Sequence, residues 1–75
     1  MANALQERYS QLLLEHIRRD QYPSVTHMDL LEAIAPPRVL AEYAQHLMER
    51  VEADRYPSIP MLRRVERLVM LSGPE

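Results

Sequence analysis

Seventy-five residues make one domain near the lower limit at which a single apolar core holds a fold without disulfides or metals. The lack of cysteine excludes disulfide staples and thiolate metal sites and fits a reducing compartment, so the cytoplasm is the expected location. A formal charge of −2, with nine arginines and no lysine set among eleven acidic residues, argues against a general nucleic-acid or anionic-membrane surface, which needs a basic excess.

In chain order, Met1 to Glu7 carries neither a basic stretch nor an apolar one, so no secretory signal is expected, and no apolar run approaches a membrane span. A first long helix is predicted over about Ala4 to Arg19. At roughly 100° per residue, Tyr9, Leu13, Leu14 and Ile17 cover one arc and should face the core. Glu7, Arg8, Gln11, Glu15 and Arg18 lie opposite, towards solvent. A turn follows at Tyr22-Pro23-Ser24, where Pro23 pushes Tyr22 out of the helical region and so stops the helix. Ser24 then suits the N-cap of a second, shorter helix, with Thr26 and Asp29 forming a competing capping box. That helix should bury Met28, Leu31, Ile34 and Ala35.

Pro36-Pro37 separates this half from the next. A second long helix is predicted over about Arg38 to Ala53, with Tyr43, Leu47, Met48 and Val51 facing the core and Ala41, Glu42, Gln45, Glu49 and Glu52 facing water. Pro57 stops it as Pro23 stops the first. Ser58 caps a last short helix whose first turn tolerates Pro60, since the missing N–H is one that needs no partner there. This helix should bury Leu62, Val65, Leu68 and Val69, and Gly73-Pro74 should end it.

The two halves are copies of one pattern. Shifting the sequence by 34 residues aligns positions 9–35 with 43–69 without a gap, and nine of the 27 pairs are identical, including the whole of Asp-x-Tyr-Pro-Ser. Leu14/Met48, Ile17/Val51, Val25/Ile59, Met28/Leu62, Leu31/Val65 and Ile34/Leu68 pair apolar with apolar. The expected fold is therefore all-α: a compact four-helix domain of two tandem helical hairpins, long-short-long-short, with copy one at about 4–35 and copy two at about 38–71 of a single domain spanning 1–75.

The repeated turn, Asp20, Tyr22, Pro23, Ser24 and Asp54, Tyr56, Pro57, Ser58, reads as structure. Asp accepts hydrogen bonds around the turn, Tyr packs its ring over the hairpin, Pro stops one helix and Ser caps the next. His16, His27 and His46 each lack a second histidine on their own helix at metal-binding spacing, so no metal site is expected, and His16 and His46 should sit at the margin of the core. Nothing in the chain pairs an activated nucleophile with a base or cradles a phosphate with glycines, so neither enzyme activity nor a cofactor is expected.

Function is sought where the copies differ. Leu30 stands where the second copy has Arg64, Leu12 replaces His46, and Met70 and Leu71 continue the last helix with apolar residues outside its core arc. The first short helix presents Asp29 and Leu30, and the last presents Arg63, Arg64 and Arg67 at matching places. These eight residues form the candidate interaction surface of a non-catalytic helical module that binds another protein or itself, with a homodimer through Leu30 and Met70-Leu71 favoured. The alternative is a small DNA-binding regulator that uses Arg63, Arg64 and Arg67 on phosphates.

Overall fold

The structure, a computed structural model, describes residues 3–72 and contains four α-helices and no strand among them. The helices are α1 (Ala4–Arg19), α2 (Val25–Ile34), α3 (Pro37–Ala53) and α4 (Ile59–Ser72). Gly73-Pro74, expected to end the last helix, lies outside the described residues. No described helix is long and apolar enough to cross a membrane. The chain divides into two compact units, Met1–Leu40 and Ala41–Glu75, with the division falling inside α3.

Each helix start has a local cause. Asn3 caps α1, its Oδ1 accepting the Gln6 N–H at 2.7 Å, and Glu7 stands in the positive first turn while His16, Arg18 and Arg19 stand in the negative last one. Ser24 caps α2 by accepting the His27 N–H at 3.3 Å, which decides between the two candidate caps: Thr26 is already inside the helix. Ser58 does the same for α4, taking the Met61 N–H at 3.2 Å. The long second helix begins one residue earlier than expected, at Pro37, because proline is well suited to a first helical position and the Pro36 carbonyl accepts the Leu40 N–H at 2.9 Å.

The helix ends show where proline acts and where it does not. Ala35 precedes Pro36 and is extended, with φ −63° and ψ 132°, so α2 stops at Ile34. The long helices, in contrast, end at Arg19 and Ala53, ahead of the tyrosines that Pro23 and Pro57 constrain. Asp20 is itself extended, at φ −80° and ψ 131°, and an aspartate whose side chain competes for nearby backbone groups is a poor continuation of a helix. The stop at Arg19 is therefore set by Asp20 and not by Pro23.

In the first unit the core is Leu13, Leu14 and Ile17 of α1, Met28 and Leu31 of α2, and Val39 at the start of α3, all buried. Ser10 completes the inner stripe of α1, giving the spacing 10, 13, 14, 17. Its hydroxyl donates to the carbonyls of Gln6 at 2.9 Å and Glu7 at 3.1 Å, so this buried polar group is satisfied by its own helix. That stripe is turned by one residue from the expected one, which leaves Tyr9 on its flank and exposed. Ile34 and Ala35 are half-buried at the open end of α2.

In the second unit Tyr43, Leu47, Val65 and Leu68 are buried. Val51 is half-buried and Met48 is 38% exposed, because the inner face of α3 follows the spacing 39, 43, 47 and Met48 falls to one side of it. Leu62 and Val69 are exposed for the same reason. The inner face of α4 is centred on Val65 and Leu68 with half-buried Met61 one turn before, and Leu62 and Val69 are each turned about 100° from a residue on that line.

Candidate interaction surface

Within the first unit, α1 and α2 pack antiparallel. At one end the Gln6 side-chain amide donates to the Ile34 carbonyl at 2.6 Å, which occupies one of the last, otherwise unpaired carbonyls of α2. At the other end the His16 and His27 rings lie 6.2 Å apart, tilted by 43°. These contacts mark the border along which the two helices meet.

The exposed side of α1 carries a second stripe. Leu5, Tyr9, Leu12 and His16 are spaced four, three and four, a pattern that keeps residues on one narrow line of a helix. All four are exposed, Leu5 by 72% and Leu12 by 55%. Because His16 meets His27, the line runs along the border with α2, and Leu30, exposed and three residues beyond His27, stands one turn further along the same border. The structure thus brings the sequence candidates Leu12 and Leu30 to one helix pair and adds Leu5 and Tyr9 to them. Tyr9, expected in the core because it shares a helical arc with Leu13 and Ile17, lies on the flank of that arc and is exposed.

Charged residues frame the stripe on its solvent side. Arg8 and Glu15 lie seven residues apart on one line beside it, and Glu15 is 3.8 Å from Arg19. A second ion pair, Glu7 with Arg38 at 3.4 Å, joins the first turns of α1 and α3. Both pairs are largely solvated and contribute little to stability.

The other expected surface residues lie on α2 and α4. Asp29 is exposed. On α4, Arg63 and Arg67 are exposed, but Arg64 is half-buried and not part of a shared exposed arc, because it stands beside Val65 on the inner side of the helix. Arg64 and Arg67 each have a partner within the chain. Met70 and Leu71 are exposed as expected.

The repeated turn is only partly as read. Ser24 and Ser58 are caps, and the Asp54 carboxylate accepts the Tyr56 N–H at 3.1 Å, closing an Asx turn. The tyrosines do not pack over their hairpins: Tyr22 is 85% and Tyr56 83% exposed. Each follows the end of its helix by three residues, beyond the reach of the inner face, and Tyr56 instead sits with the Arg55 guanidinium 6.0 Å from its ring centre.

The histidines hold one arrangement that spacing along a single helix could not reveal, the juxtaposition of His16 on α1 with His27 on α2. His27 Nδ1 is buried and unbonded. Among the described residues no cluster of three or more histidine, aspartate and glutamate side chains forms a possible metal cage. His16 is exposed and His46 half-buried. Comparison of the chain with models of protein families, with curated proteins and with solved structures finds no match.

Proposed function

We propose that this chain is a non-catalytic helical interaction module that binds another protein or a second copy of itself, in the cytoplasm that its lack of cysteine suits. The observation that carries this reading is the apolar line Leu5, Tyr9, Leu12 with neighbouring Leu30, exposed together along one helix border. Scattered surface leucines are ordinary, but an aligned set on so small a domain costs solubility unless something covers it. A DNA-binding regulator acting through the last helix has less in its favour, since Arg64 is half-buried and both Arg64 and Arg67 are engaged within the chain.

The test compares the intact chain with a Leu12→Glu/Leu30→Glu variant whose helicity and melting match the parent. Both are cross-linked alone and in extract of the native host, and both are titrated against duplex DNA. The reading expects cross-linked partners, whether a second copy or another protein, with the parent chain and their loss with the variant. Equal capture by both, or DNA binding that falls steeply with salt and vanishes on replacing Arg63 and Arg67, would overturn it.

A further inference from the structure

We infer that the partner of the α1 stripe is the α1 stripe of a second copy, laid antiparallel across a twofold axis. This rests on the interaction-module reading and makes it specific. The first ground is the internal repeat. By the 34-residue shift, Leu5 and Tyr9 correspond to Val39 and Tyr43. Val39 and Tyr43 are wholly buried inside the chain, whereas Leu5 and Tyr9 are bare. At these two matching positions the apolar side chains are thus covered in one half and open in the other.

The second ground is the spacing. Leu5, Tyr9, Leu12 and His16 occupy alternating core positions of two successive heptads, the arrangement by which one helix packs its side chains into the gaps of another. In an antiparallel pair with layers of equal height, Tyr9 meets Leu12 of the partner subunit and Leu5 meets His16 of the partner subunit, each layer occurring twice.

Charge complementarity fixes the direction. A seam has two flanks. On one, Gln6 is bonded to the Ile34 carbonyl and Leu13 is buried, so that flank is turned into the chain's own fold. The other carries exposed Arg8 and Glu15, the latter 3.8 Å from Arg19 of its own helix, and faces solvent. A parallel pair sets each free flank against the occupied one, where α2 stands in the way. An antiparallel twofold pair sets free flank against free flank, bringing Arg8 beside Glu15 of the partner subunit and Glu15 beside Arg8 of the partner subunit. Opposite signs one heptad apart therefore complement themselves only in the antiparallel arrangement. The contact is a single helix pair, at the low end of interface sizes, so the dimer is expected to be weak and to need high protein concentration.

Sedimentation of the full chain over roughly 10 µM to 1 mM tests this. The expected result is a concentration-dependent dimer that Leu12→Glu weakens at least about tenfold, since it sets a carboxylate in the centre of the seam. Arg8→Glu and Glu15→Arg each replace two attractions by two repulsions and should weaken the dimer roughly three- to tenfold, while the two together restore it. Both charge positions are exposed, so this series remains readable should Leu12→Glu fail to fold. A double variant no tighter than the singles overturns the antiparallel pair. So does a wild-type chain that stays monomeric throughout. If that monomer still binds another protein through Leu12, only the self-pairing falls, and if it binds nothing, the module reading falls with it.

Discussion

Leu47 and Gln45 lie two residues apart on α3, and replacing each by alanine separates the inner from the outer face of that helix. Leu47 is wholly buried, while Gln45 is exposed and makes only a 3.4 Å hydrogen bond to the Glu49 carboxylate one turn on. Truncating a fully buried leucine removes its transfer free energy and leaves a cavity, together about 2–5 kcal/mol. Removing Gln45 changes a solvated surface, where effects stay within about 0.5 kcal/mol and alanine's helix propensity offsets part of the loss. A domain of this length is stable by about 4–11 kcal/mol, so Leu47→Ala removes a large share of the total. At about 4–8 °C per kcal/mol, its Tm should fall by at least about 8 °C, against at most about 4 °C for Gln45→Ala. Met48→Ala should fall between them, because that side chain is already partly in water. Thermal melts followed by circular dichroism give the comparison directly. Equal Tm values for the Leu47 and Gln45 variants would refute the assignment of faces on α3.

Ser24→Ala removes the side-chain acceptor of the His27 N–H and should destabilise by about 1 kcal/mol in urea titration, whereas Thr26→Ala should be close to neutral. Gln6→Ala takes away the 2.6 Å tie to the Ile34 carbonyl and should also cost about 1 kcal/mol, read as faster amide exchange at the end of α2. Tyr22→Ala and Tyr56→Ala should each leave the Tm within a few degrees of wild type, since both rings are in solvent. A large loss in either would show that the turn tyrosines pack after all.

Helix existence and type were legible because they rest on local chemistry. The Ser caps, the proline pair at 36–37 and the apolar spacing of each segment act within a few residues, and α1 is bounded where its sequence indicates. The core was less legible at its edges. A helical wheel places a side chain on an arc but does not say how wide an arc its neighbours cover, so Tyr9, Met48, Leu62 and Val69 were drawn inward from positions that the structure leaves exposed. Ser10 was missed for the converse reason. Its polarity argues for the surface, and only the backbone carbonyls of its own preceding turn make burial acceptable. Contacts between helices, such as His16 with His27 and Gln6 with Ile34, join residues 11 and 28 positions apart and leave no periodic trace at all.

Positions that match under the 34-residue shift do not share one environment. Tyr9 and Tyr43 are the same residue in matching helices, yet one is exposed and the other wholly buried; Met28 is buried and its partner Leu62 is not; Leu14 is buried and Met48 is not. The first pair is identical and the other two are both large and apolar, so hydrophobicity alone does not decide burial. What differs is the set of neighbours that covers each position in the fold. An open position that keeps the apolar character of its covered twin is therefore the place to look for a partner. Leu5 and Tyr9, whose counterparts Val39 and Tyr43 are buried, meet this condition, and Leu12, which stands where the second half has His46, continues their line on α1; polar residues there would have served folding equally well.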